Sequence, residues 1–270
     1  MNRLFILIAA FCFISGTLFS QSASISPSRF YYKLSPGESG TQLLRVTNNG
    51  NRAETFQVSF SNFASDGNQG KTTIMDDYEH GCASWLTASP AFFELAPGET
   101  RDVEVRLQVP SGSEGLSVRW AVGQVRLATE RTALEERGDN VTGMQIIQTF
   151  EFLFHVFQTP PALENMREAS VLSFRDVTGP DDSGKVLRME VENTGRAIID
   201  CAPYLDIVNA TTGESQRIMN RAFTVLPGGK REINFRLPED FPPGRYSILG
   251  IIDYGSRTDL AGAELDLVIE

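Results

Sequence analysis

Three segments of this chain repeat one device: a Pro-Gly pair, polar residues, then a run in which every second residue is apolar. They are Leu34–Val46, Leu95–Pro110 and Val225–Pro238. Proline presets φ for one turn position and glycine supplies the positive φ of the next, so each pair makes a tight turn. In the second copy Val103, Val105, Leu107 and Val109 alternate with polar residues, and in the third Ile233, Phe235 and Leu237 do the same. Period two puts successive side chains on opposite faces, the signature of a half-buried strand. The unequal spacing of the copies excludes a solenoid repeat.

The same alternation recurs at Phe56, Val58 and Phe60, at Leu116, Val118, Trp120 and Val122, and in four later segments. Turn signals such as Asn49-Gly50 and Thr194-Gly195 punctuate these runs. No long segment carries an apolar helical stripe. Thr129–Arg137 has a helix-forming composition but is short and polar, and reads as the tip of a long hairpin. The expected fold class is all-β, built as sandwiches.

The N-terminus is a separate matter. Asn2 and Arg3 precede an apolar run from Leu4 to Ile14, the length of a signal-peptide core and too short to span a bilayer. Residues 1–20 are expected to be removed on export. Phe11 stands directly before Cys12, where a lipoprotein would have a small residue, so no lipid anchor is read. No later run of about 18 apolar residues is present, so the mature chain is expected to be soluble. It would carry 23 basic and 34 acidic residues, a net charge of −11. With no basic run, no nucleic-acid partner is expected.

Roughly 250 remaining residues suit two domains. Pro160-Pro161 is the natural boundary, because two prolines form a stiff extended spacer and cannot continue a central strand. The expected domains are 22–158 and 162–270. Cys82 and Cys201 then lie in different domains. Export permits a disulfide, and two isolated thiols fit the same sequence.

The candidates for chemistry are few. His80 and His155 are the only histidines. Met75–Trp85 gathers Asp76, Asp77, Glu79, His80 and Cys82, from which a Cys–His dyad or a metal site could be drawn. A zinc site wants more Cys or His than this, and a nucleophile wants a base oriented by a third group. A solvated acidic loop is the simpler reading. No phosphate loop or G-x-S-x-G elbow is present. No enzyme activity, metal or cofactor is expected. Trp85 and Trp120 are expected to pack the first sandwich's core.

The most apolar ribbon runs from Gln148 to Pro161. As a strand, it would point Phe150, Phe152, Phe154 and Val156 to one side, a core face. Glu151, Leu153, His155 and Phe157 would point to the other. That second face is also partly apolar. Either a loop or the second domain covers it, or the strand is shared with a partner.

The opening "ISPSRFYYKLSPGESGTQLLRVTNNGN", the middle "ASWLTASPAFFELAPGETRDVEVRLQVP" and a hydrophobic last strand ending in proline together resemble the periplasmic pilus-assembly (PapD-like) chaperones. The nearer likeness is to chaperone-like exported proteins of Bacteroidetes-type bacteria. The resemblance covers the first domain, and in the second it is architectural. It implies two tandem immunoglobulin-like β-sandwich domains in the periplasm and a non-catalytic function. The protein would bind an exported or surface-assembled, fimbrial-type subunit by lending its last strand to that subunit's incomplete sandwich. It also implies two cationic residues that grip the subunit's terminal carboxylate. Arg29 matches the family's first-strand arginine, and His155 falls where the family has a lysine. Met144, Ile146, Gln148 and Phe150 would be the strand-pairing residues, along a strand from Thr142 to Phe157. An alternative is a non-catalytic structural or accessory component of a cell-envelope or secretion complex.

Overall fold

The computed structural model describes residues 23–65, 70–127 and 150–270. The signal segment 1–20, the Thr129–Arg137 segment and the pairing candidates Met144, Ile146 and Gln148 lie outside the described residues. Within them the chain is all-β, two tandem sandwiches with only short 3-10 turns between strands. No helix there is long and apolar enough to cross a membrane.

The first sandwich contains β1 (Ala23–Ser26), β2 (Arg29–Tyr32), β3 (Ser39–Asn48), β4 (Glu54–Ser65), β5 (Thr72–Met75), β6 (Leu86–Ser89), β7 (Phe92–Leu95), β8 (Thr100–Gln108), β9 (Arg119–Leu127) and β10 (Glu151–Gln158). One sheet has the order β1-β3-β8-β6. The other runs β2-β10-β9-β4-β5, with β7 also on β4. The chain changes sheet between β1 and β2 and again between β6 and β7. Each change passes through a cis Ser-Pro bond, Ser26–Pro27 and Ser89–Pro90. Proline has no N–H to leave unpaired where the backbone quits one ladder for another.

The second sandwich contains β11 (Ala169–Asp176), β12 (Val186–Asn193), β13 (Ile199–Asn209), β14 (Ser215–Met219), β15 (Phe223–Val225), β16 (Lys230–Arg236), β17 (Gly244–Asp253) and β18 (Ala261–Ile269). Its sheets are β11-β12-β16 and β14-β13-β17-β18, with β15 on β13. Each sandwich has its own core. The first gathers Phe30, Leu44, Phe56, Val103, Val105, Leu107 and Phe154, and the second Leu187, Met189, Ile207, Phe235 and Ile248. The alternating residues of β8 and β16 are the inward-facing ones, as their period requires.

Phe154 is fully buried and meets Phe30 and Phe60 edge-to-face, with ring centroids 5.4 and 6.1 Å away. Its ring lies over Gly123 of β9, where a Cβ would approach to 2.0 Å. Only a glycine leaves room for that ring. Val156 is buried beside it and Phe152 is partly buried. Phe150 departs from the expected core face. It lies just before β10, 44% exposed, its carbonyl accepting from the Leu127 N–H. Leu116 likewise leaves the expected alternation, for it sits exposed in the turn before β9.

The Pro-Gly turns form as their chemistry requires. Gly37, Gly98 and Gly228 have φ of 84°, 74° and 71°. In the first two copies the following glutamate closes the turn, Glu38 accepting from the Ser35 N–H and Glu99 from the Ala96 N–H. Two of these turns also dock on a buried asparagine. Asn48, with no exposed surface, donates to the carbonyls of Arg52 and Leu95 and accepts from the Gly50 N–H. Its backbone pairs with Gly98 and Glu99. Asn193 repeats the arrangement in the second sandwich with Ala197, Val225 and Gly195, its backbone pairing with Gly228 and Gly229. Both sandwiches thus hold one strand end to one Pro-Gly turn through an amide whose hydrogen-bonding capacity is largely filled. Removing it strands buried backbone groups. Asn48→Ala and Asn193→Ala are each expected to destabilise their sandwich by about 3 kcal/mol, measured as a lowered urea midpoint with unchanged slope.

Candidate functional site: a cleft between the sandwiches

The site begins with β10. On one side it pairs antiparallel with β9 along its whole length, Glu151 opposite Arg126 through Gln158 opposite Arg119. On the other it pairs parallel with β2, but only from His155 to Gln158. Two edges of this strand therefore differ. His155 to Gln158 is an interior strand, so the part of the expected pairing edge that reaches Phe157 is already occupied by β2.

Backbone direction locates the remaining edge. The His155 N–H donates to Ser28, and the Thr159 N–H to Tyr32, so odd-numbered residues aim their backbone groups toward β2. The Phe150 carbonyl faces β9. It follows that the N–H and C=O of Glu151 and Leu153 point outward, beyond the start of β2, and no described strand pairs with them. Leu153 there is 39% exposed, and Phe150 just before β10 is exposed as well. An unpaired edge with apolar side chains is a template for another strand.

The parallel ladder has a second consequence. Its register sets Arg29 directly beside His155, so the two residues singled out from the sequence are neighbours. Both line a cavity of about 420 Å³ between the sandwiches. The first sandwich contributes Phe63, Thr72 and Phe157 as well, and the second contributes Arg221, Arg231 and Glu232. Arginines far apart in an acidic sequence thus converge on one cleft. No local run announces them, because they come from β2, β16 and the segment between β14 and β15.

His155 is not placed as a cation. Its ring lies between Phe63, 5.2 Å away and edge-on, and Phe157, 6.0 Å away and stacked, with Nε2 3.0 Å from the Thr72 hydroxyl. Burial and then the Arg29 charge both depress its pKa below 6.5. Arg29 is half-exposed, 3.8 Å from Asp200 of β13. Asp200 is held in turn by the hydroxyls of Thr224, at 2.6 Å, and Tyr31, at 3.1 Å.

Beneath the cleft an apolar cluster joins the sandwiches. Phe63, Val118, Trp120, Val122 and Phe157 meet Ile198 and Leu226 of the second sandwich, with Leu163 of the connecting segment. This corrects the expectation for Trp120, which packs here and not in the first core, its indole N–H donating to the Phe63 carbonyl. Trp85 does pack against the first core. The Pro-Pro segment is extended only at Pro160. Pro161–Leu163 then turns and buries Leu163, so the connection is docked.

The Met75–Trp85 cluster comes apart. His80 stacks on Trp120 at 4.9 Å and contacts Glu79. Cys82 is buried in the first core, where burial pushes its thiol up to about 12, opposite to what a nucleophile requires. Cys201 is buried in the second core, and both cysteines are free.

The depressed pKa of His155 has a sign. The unfolded chain binds the proton more readily than the folded one, so stability is full above about 6.5 and declines as pH falls below it toward the folded value. Wild-type protein is expected to lose more stability than His155→Gln between about pH 7.5 and 5.5 in urea titrations. Parallel curves for the two proteins would contradict the lowered pKa of His155.

No protein-family model matches the sequence, and no curated protein does. Among solved structures the chain is similar to the E. coli chaperone DraB, with 14% identity over 90% of this chain and 98% of that one and a TM-score of 0.44. It is similar to the Pseudomonas aeruginosa CupB2 chaperone, with 12% identity over 92% and 100% and a TM-score of 0.45. It is also similar to the CsuC–CsuE chaperone–tip adhesion subunit complex of Acinetobacter baumannii Csu pili, with 11% identity over 90% and 98% and a TM-score of 0.45.

Proposed function

We propose that this is an exported, periplasmic, chaperone-like protein that binds a surface-assembled subunit by strand pairing and performs no reaction. The domains 22–158 and 162–270 would be its two arms. The observation that carries the reading is the edge at Glu151 and Leu153, on which no strand lies among the described residues and which leads to the arginine-lined cleft. An incoming strand on that edge continues the line of β2 and stops where β2 begins. Its carboxyl end reaches Arg29 only if it runs parallel to β10. Backbone pairing would supply affinity, while alternate apolar side chains beside Phe150 and Leu153 would supply specificity. Met144, Ile146, Gln148 and Phe150 would be the strand-pairing residues.

Proline tests the backbone part of this reading. At Leu153 the N–H faces the open edge, so proline leaves the β9 ladder intact and removes one donor from the partner's side. Tagged mature protein is expected to capture one exported subunit from its native envelope, with Leu153→Pro and Phe150→Asp losing that subunit while keeping wild-type circular dichroism. Capture of an envelope complex indifferent to both substitutions would instead identify a structural or accessory component and end the strand-pairing reading.

A further inference from the structure

We infer that a second cavity, where the segment after Leu163 meets the turn between β17 and β18, binds the phosphate group of a phosphate monoester, with Arg167 and Arg257 as its cationic ligands. The site is separate from the cleft and does not depend on strand pairing.

The cavity measures about 370 Å³. Glu164, Asn165 and Arg167 form one wall, and Gly255, Ser256 and Arg257 the other. Two local features hold the walls together. Pro161–Leu163 turns and buries Leu163 in the cluster between the sandwiches, which fixes the start of the first wall. Gly255 has φ of 75°, and its carbonyl accepts from Arg167 Nη1 at 2.9 Å. That bond spans the two walls and places the Arg167 head at the cavity.

The charges at the cavity do not cancel. Lys33 is paired with Glu164. Lys33 first, then Arg167 and Arg257, hold the Glu164 carboxyl below its ordinary range, so three cations lie within reach of one carboxylate. Three positive charges less one negative charge leave a surplus of two. Asp253 and Asp259 belong to the same turn but do not line the cavity. They accept from the Gly255 N–H and the Thr258 hydroxyl.

The donors suit an anion with more than two oxygens. Each guanidinium presents a planar fork, and the Asn165 amide lies on the same wall as Arg167. Ser256 Oγ accepts from the Thr258 and Asp259 N–H groups at 3.3 Å each, which leaves its own proton for the cavity or for Thr258 Oγ1, 3.4 Å away. A carboxylate brings two oxygens and one charge. A phosphate monoester brings three terminal oxygens and close to two charges at neutral pH, which matches both the donors and the surplus. The cavity exceeds what the phosphate group needs, so the organic part of the ester has room beside it.

The experiment is calorimetric titration of the mature protein with glucose 6-phosphate and with glucuronate, which carries a carboxylate on the same kind of ring. Wild type is expected to bind the phosphate about tenfold more tightly than the carboxylate. Arg257 is the residue to change, because Arg167 also holds the turn. Arg257→Gln is expected to weaken glucose 6-phosphate about tenfold. Arg245→Gln removes an equal charge near the opposite end of β17 and is expected to leave the affinity unchanged. Thermal unfolding of each variant establishes that it is folded. Absence of binding at about 10 mM glucose 6-phosphate would overturn the proposal, as would an Arg257→Gln protein with wild-type affinity. Glucuronate binding as tightly as the phosphate would overturn the phosphate assignment. Sedimentation with phosphatidylcholine vesicles, with and without added phosphatidic acid, identifies the source. Binding that needs phosphatidic acid and is lost in Arg257→Gln supports the site with the monoester on a lipid headgroup. Glucose 6-phosphate binding without vesicle binding supports it with a soluble ester.

Discussion

The short parallel ladder between β2 and β10 governs the rest of the molecule. Four residue pairs, from Arg29 with His155 to Tyr32 with Gln158, close one sheet of the first sandwich. Because β2 starts only at Arg29, the ladder ends there, and among the described residues no strand pairs with the earlier part of β10 on that side. Because the strands are parallel and in this register, Arg29 lies beside His155 at the mouth of the cleft. His155 and Phe157 then line the cleft, and Phe157 enters the cluster that joins the two sandwiches. A shift of one residue would turn Phe154 and Val156 out of the core, so packing holds the register and the register builds the site.

Electrostatics in the cleft runs against the molecule as a whole. The chain is acidic overall, yet the space between the sandwiches is lined by arginines. Net charge describes solubility and long-range association, and it says little about a single concave site with low-dielectric walls. The one acidic residue lining the cleft among the described residues, Glu232, is paired with Arg188 at 3.6 Å. Such a partly exposed pair contributes little stability, but it draws Glu232 toward Arg188.

Much of the architecture was legible in the residues. The Pro-Gly turns, the period-two runs that follow them and the absence of an apolar helical stripe point to stacked sheets, and the observed strands follow those runs closely. Arg29 and His155 were singled out by a resemblance to a known family, and the register of the ladder sets them side by side. Asn48 and Asn193 carried a weaker signal. Each opens an Asn-x-Gly turn, but nothing in a linear pattern says that the asparagine amide will be buried and bonded to a Pro-Gly turn tens of residues away.

What the sequence by itself determined is the local geometry: where the chain turns, because proline and glycine restrict or release φ, and which face of each strand is apolar, because alternation has a period of two. Only the tertiary structure decided which of those faces meet. Trp120 lies on a regular β9 alternation, yet it packs against the second sandwich and not the first core, since an inward and an outward apolar face have the same period. His155 looks like a cation from its position, yet its partly buried ring is flanked by Phe63 and Phe157, and burial and the Arg29 charge push its pKa down. Arg231 looks like an ordinary strand residue and stands across a cleft from Arg29. Solvent exclusion and charge proximity depend on distances between segments remote in sequence, and those distances exist only after the sandwiches dock.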